Sequence, residues 1–291
     1  MSEAEANRRS MLKLGAGLVG GVALASSLDP QKAAAQAAPN SLLRAVLDRG
    51  HLIVGTGSTN APWHFEDEKG NLVGMDIAMA RILAKGLFDD DQKVEFVRQD
   101  PAARIPNITT GKIDITIQFM TVSPNRAQLV NFSRPYYVEG TALLTRPDAP
   151  NKSFDALLAG GANTKVSILQ NVDAEEGVHK VLPQSTVLQL DTQANVIQAL
   201  DSKRVDAAAV DLSTVRWMVA RTPNRYADSG KWWNPMLYSA AIRQGDLDWL
   251  TFVNTTFDVA MFGHQSEVYD AAFKEYFGEA PPPRNPGFPV I

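Results

Sequence analysis

Arg126 follows Ser123 and Pro124 in the stretch TVSPNRAQLVNFSRPYY, residues Thr121 to Tyr137. Ser123 before Pro124 reads as a helix N-cap with proline in the first turn, where its missing N–H costs nothing. A cation in that turn runs against the helix dipole, whose positive end already lies there. A guanidinium added to free backbone N–H groups makes a site for an anion, above all a carboxylate that accepts a bidentate pair. The alternative is that Arg126 is a solvated surface residue. A second charge stands at an element junction: Asp211 ends KRVDAAAVD just where a helix begins at Leu212. By residue type it is a helix N-cap, a common role worth about 1 kcal/mol.

The elements that must position these residues follow from hydrophobic period. Ile113, Ile115 and Ile117 alternate with Asp114 and Thr116, so a strand runs from Lys112 to near Met120 and delivers Thr121. Ser41 caps a short helix through Arg49, and His51 to Thr56 reads as a buried strand that ends in a turn carrying Asn60, Pro62, Trp63, His64 and Phe65. His64 is read as a surface or hinge-facing residue. Gly70 to Asp76 is a tight turn, with Asp76 expected to cap a helix whose apolar residues Ile77, Ala80, Ile82, Leu83 and Leu87 have helical spacing. Val94 to Val97 is a strand, and Pro101 opens a helix containing Arg104 and closed by Gly111.

Gly140 to Thr145 is a further strand running into RPDAP, whose two prolines break regular structure. Beyond it, strands at 165–169, 185–190 and 205–210 alternate with helices at 171–181 and 192–200, the pattern of parallel strands with crossover helices. Met236 to Ile242 is apolar enough to return to the first domain, and amphipathic helices follow at 246–261 and 265–277. The expected class is α/β with two domains, 39–147 plus 239–291 and 148–238, joined by crossovers near Asp148 and Tyr238 that form a hinge.

Composition narrows the function. NRRSMLK precedes an apolar, glycine-rich run and an alanine-rich stretch, which together read as an export signal of twin-arginine type over residues 1–38. The chain has no cysteine, which removes disulfides, thiolate catalysis, cysteine-bound metal and a lipid-modified cysteine tether. A freely soluble exported protein is therefore expected. The formal charge is −4 overall, and without residues 1–38 there remain 24 basic against 29 acidic residues, or −5. That mixed, mildly acidic balance argues against a nucleic-acid or anionic-membrane partner. There is no Gly-x-Ser-x-Gly, no His-Glu-x-x-His and no phosphate-binding glycine loop, and the four histidines are scattered.

IDITIQFMTVSPNRAQLVNFSRPYY, together with GNLVGMD, AIRQGDLDWL and AAFKEYFGE, resembles the family 3 periplasmic solute-binding proteins, the amino-acid receptors of ABC importers. The resemblance runs from about His51 to Gly278. It implies a two-domain periplasmic-binding fold of type II, a monomer in the periplasm, an amino-acid ligand, permease subunits as partners and no cofactor. Carried over residue by residue, it makes Arg126 the clamp of the ligand α-carboxylate, with Thr121 adding a hydroxyl and a backbone N–H. Asp211 becomes the partner of the α-ammonium, and Trp63 the aromatic that stacks on the ligand side chain.

The same likeness places Asn60, Phe119 and Met120 in the site and brings Arg104 to the ligand or to the residues that hold it. Where many relatives have Gly-Thr-Thr, this chain has Asn171, Val172 and Asp173, a departure that opposes an acidic ligand and leaves specificity open. A few relatives of this fold are cyclohexadienyl dehydratases. On that enzymatic alternative, Glu175 or Glu176 would be a general acid.

Overall fold

The computed structural model of the chain describes residues 41–170, 174–278 and 280–287. Helix α1 (Leu42–Arg49) starts where Ser41 accepts a hydrogen bond from the Leu43 N–H and stops at Gly50, whose φ of 81° favours glycine. Its buried residue Val46 leads into β1 (Leu52–Thr56). The turn after β1 forms a small antiparallel sheet of β2 (Thr59–Asn60), β3 (His64–Glu66) and β4 (Leu72–Val73). Helix α2 (Met75–Phe88) then begins with Gly74 as N-cap. A side chain there would put Cβ 2.2 Å from the Trp63 carbonyl oxygen, so only glycine lets the turn close. Asp76, expected as the cap, instead sits buried inside the first turn.

Next come β5 (Val94–Arg98), a 3-10 turn at Pro101–Ala103, α3 (Arg104–Thr109) and β6 (Ile115–Thr121). Ser123 does cap a helix with proline in its first turn, but α4 (Pro124–Ala127) is a single turn. The short β7 (Asn131–Phe132) precedes β8 (Tyr137–Thr145). The second half holds α5 (Phe154–Ala159), β9 (Lys165–Leu169), α6 (Ala174–His179), β10 (Thr186–Leu190) and α7 (Gln193–Asp201). It continues with β11 (Ala207–Asp211), α8 (Leu212–Arg221) and β12 (Ala227–Ile242). Helices α9 (Leu247–Phe262) and α10 (Glu267–Phe277) close the chain.

The main sheet has the order β10-β9-β11-β8-β12-β6-β1-β5, with β7 paired to β12. Strands β5, β1 and β6 are mutually parallel, as are β10, β9 and β11. The antiparallel strands β8 and β12 stand between these two parallel sets and join them. This is an α/β architecture of two lobes with two crossovers, each lobe with its own core. One core is built on Val54, Ile117, Leu83, Trp249 and Phe257, and the other on Leu144, Val196, Leu200 and Val210. Register then fixes the site. Tyr238 lies beside both Thr121 and Tyr137, and Thr141 lies beside both Asp211 and Trp233. The ends of β6 and β11, one from each lobe, therefore meet across the two crossover strands.

Candidate functional site

A cavity of about 460 Å³ lies at this meeting of strand ends. From the first lobe, Thr121 and Arg126 line it, and Arg126 Nη1 donates to the Thr121 carbonyl at 2.9 Å. That bond ties the side chain back to the strand end and holds the guanidinium against the wall. Arg104 also lines the cavity, almost fully buried. It donates through Nε to the Pro101 carbonyl at 2.9 Å and through Nη1 to the Gln118 carbonyl at 3.1 Å, with its guanidinium 5.9 Å from the Phe119 ring centre. Burial, and then repulsion from Arg126, bring the Arg104 pKa down to about 9.

From the second lobe, Asp211 faces the cavity. It precedes α8 but makes no side-chain capping bond. Its Oδ1 accepts from the Tyr238 hydroxyl at 2.8 Å, while Oδ2 is buried without a partner. Burial, reinforced by the nearby Glu139 carboxyl, pushes the Asp211 pKa well above the usual carboxylate range, against the pull of the Tyr238 bond. Glu139, in β8, is itself 3% exposed and raised by burial, although the Ser213 hydroxyl and the Gly140 N–H both donate to it. Two guanidinium groups on one side and a carboxylate with an open oxygen on the other can hold a zwitterion.

Other residues expected at the site fall in different places. Asn60 lines the cavity and is buried, with the Thr214 hydroxyl of α8 3.2 Å from its Oδ1. Phe119 lines it too, in a backbone conformation with φ of 35° that its N–H bond to Asp76 Oδ2 supports. Met120, one residue on, points the other way and packs with Ile108, Ile113, Val130 and Ala241. Asn171, Val172 and Asp173 lie outside the described residues.

Trp63 does not line the cavity. Its indole is fully buried, with ring centres of Tyr137, Phe277 and Tyr238 at 4.9, 5.3 and 5.4 Å, and Nε1 donates to Ser213 Oγ at 2.9 Å. Both its apolar face and its one donor are satisfied there, which leaves nothing to present to a ligand. Ser213 donates in turn to Glu139 Oε2 at 2.5 Å, so the turn of one lobe is bonded to the first turn of α8 in the other.

His64, expected at the surface, is 2% exposed. Its Nδ1 meets Asp76 Oδ2 at 2.8 Å, and its ring stacks on Phe119 at 4.7 Å. Burial outweighs Asp76 and lowers its pKa, so the ring is neutral, donates its Nδ1–H to Asp76 and keeps Nε2 as an acceptor. Asp76 takes a third bond from the Tyr136 hydroxyl at 2.8 Å, and this buried set underpins the Phe119 wall.

Sequence reasoning missed Tyr238, which lines the cavity, and Glu139, which is buried near Asp211 and bonded to Ser213. Glu139 did carry a signal, being an acid within an otherwise apolar strand pattern, YVEGTALL. Among the described residues no group of three or more His, Asp or Glu is placed to hold a metal ion.

The family model of bacterial extracellular solute-binding proteins, family 3, matches residues 52–279. The chain belongs to that family. It is 26% identical over 235 residues to the ABC transporter glutamine-binding protein GlnH of Bacillus subtilis, covering 80% of this chain and 85% of that one. To the glutamine-binding protein of Geobacillus stearothermophilus it is 30% identical over 197 residues, covering 67% and 74%. Among solved structures, the ancestral amino acid-binding protein AncCDT-1, a precursor of cyclohexadienyl dehydratase, superposes with a TM-score of 0.72 at 30% identity. That match covers 81% of this chain and 100% of the other. The fold is that of the type II periplasmic binding proteins.

Proposed function

We propose that this chain is an exported, monomeric receptor that captures one polar amino acid between its lobes and delivers it to an ABC import permease. The observation that carries the reading is the juxtaposition of Thr121 and Arg126 from one lobe with the open carboxylate oxygen of Asp211 from the other. The α-carboxylate sits on Arg126 and Thr121, and the α-ammonium on Asp211. Because the two clamps belong to different lobes, the ligand itself stabilises the closed arrangement, with β8 and β12 as the hinge. Relatives named for glutamine binding support an amino-acid ligand. The export reading rests on the twin-arginine segment within residues 1–38, which lies outside the described residues.

The likeness to a dehydratase precursor keeps one enzymatic reading in view. Neither Glu175 nor Glu176 lines the cavity: Glu175 accepts from Gln189 Nε2 at 2.9 Å and Glu176 pairs with Lys180 at 3.0 Å, both on the surface. A thermal-shift screen of the chain against the twenty amino acids, prephenate and arogenate, with product analysis, separates the two. A ligand that binds only the native state raises the melting temperature. A rise with an amino acid and no turnover supports the receptor; loss of prephenate or arogenate with release of an aromatic product replaces it with an enzyme.

A further inference from the structure

Beside the main cavity the cleft holds a second chamber of about 220 Å³, and the two meet at Asn60, Pro101, Phe119 and Gln193. Gln193 is the first residue of α7, the helix that packs on β2 of the opposite lobe. It is 6% exposed, and its side-chain nitrogen Nε2 is buried with no hydrogen-bond partner. A buried amide donor left unpaired is uncommon in a native fold and calls for a reason.

The neighbouring amides offer none. Gln99 Nε2 donates to Thr116 Oγ1 at 2.8 Å and to Gln118 Oε1 at 3.1 Å, and Gln118 Nε2 donates to the Gln99 carbonyl at 3.1 Å. His64, also on the chamber wall, has its Nδ1 engaged by Asp76 and retains an acceptor at Nε2. Among the described residues, the charged ones lining the chamber are Arg98, Asp100 and Asp191, and Arg98 is already paired with Glu66 at 2.6 Å. The chamber is therefore short of positive charge, rich in neutral hydrogen-bonding groups, and continuous with the cavity that Arg126 and Asp211 line.

Building on the amino-acid-receptor reading, we propose that this chamber receives the ligand's side chain and that Gln193 recognises a neutral carboxamide at its end. A primary amide carries one acceptor oxygen beside its N–H donors, so its complement is another primary amide, the two exchanging N–H···O bonds. A carboxylate would meet Asp100 and Asp191 without a free cation, and an alkyl end would leave the Gln193 nitrogen unpaired.

The test is calorimetric titration of the full chain with two isosteric pairs, L-glutamine against homoleucine and L-asparagine against L-leucine, with L-glutamate and L-aspartate as charged controls. The expected result is that one amide binds at least about tenfold more tightly than its alkyl isostere and its acid. Gln193→Leu should then bring the amide-to-alkyl ratio near one while alkyl binding is kept or improved. An amide-to-alkyl ratio near one in the unaltered chain, tighter binding of the acid, or a preference that survives in Gln193→Leu overturns the proposal. The ligand series on the unaltered chain decides it even should the variant fold poorly. Failure of every amino acid to bind would instead sink the receptor reading beneath it.

Discussion

Tyr238 gives its hydroxyl to one oxygen of Asp211 at 2.8 Å and leaves the other oxygen buried and unpaired. The cleft thus carries a carboxylate that the fold itself does not satisfy. Its folded pKa lies above the unfolded one, so its stability contribution is complete below the unfolded pKa and lost as pH rises through the folded value. Asp211→Asn should therefore raise the stability of the unliganded chain at neutral pH by about 1 kcal/mol. It should also erase the ligand-induced thermal shift. Melting curves at neutral and acid pH check both parts, with the gain shrinking as Asp211 protonates. A variant that melts lower at neutral pH contradicts the argument.

Ligand binding should be linked to proton release. The ammonium needs Asp211 ionised, whereas burial and Glu139 favour its protonated form without a ligand cation beside it. Affinity should fall as pH drops through the raised free-state pKa, by about tenfold per unit for one proton. The fall should begin at higher pH than for an ordinary carboxylate. Within the pH range where affinity falls, titrations in buffers of different ionisation enthalpy report the released proton directly; heats independent of buffer there would remove Asp211 from the ammonium site.

Arg126→Ala should cost about 3 kcal/mol or more of binding free energy, since it leaves a ligand carboxylate in the cleft without its fork of donors. Arg126→Lys keeps the charge and loses the bidentate geometry, so it should retain only part of the affinity. Calorimetric titration of both variants against the wild-type chain measures the difference. Wild-type affinity in Arg126→Ala would show that this residue does not touch the ligand.

The fold was legible wherever local chemistry dictates it. Strand 165–169 and the start of α8 at Leu212 fall where the sequence puts them, because apolar period and cap residues are local signals. Strand β12 was seen only from Met236, although it begins at Ala227. The missed part contains Gly230 and Asn234, both at positive φ, and two register shifts, so it alternates poorly and resembles a turn. The charged ends Arg126 and Asp211 were legible as element junctions. Trp63 and His64 were not: their burial depends on Ser213 and Asp76, 150 and 12 residues away, and no local pattern encodes such a partner.

Asp76 accepts from three buried donors, of His64, Phe119 and Tyr136. Asp76→Ala would remove all three bonds at once, with an expected loss of stability of about 3 kcal/mol or more. Tyr136→Phe removes one bond and should cost about 1 kcal/mol. Denaturant unfolding of both gives the comparison, and near-equal losses would show that the three bonds do not act through Asp76.

In the proposed mechanism, one zwitterion bridges the lobes. This is tested most directly by titrating the chain with the amino acid found in the thermal screen, its α-carboxamide and its decarboxylated amine. Each analogue deletes or neutralises the α-carboxylate and keeps the ammonium. Both should bind at least about 100-fold more weakly than the parent, since each removes the anion that Arg126 and Thr121 are proposed to hold. Binding of either analogue within a fewfold of the parent would contradict that mechanism.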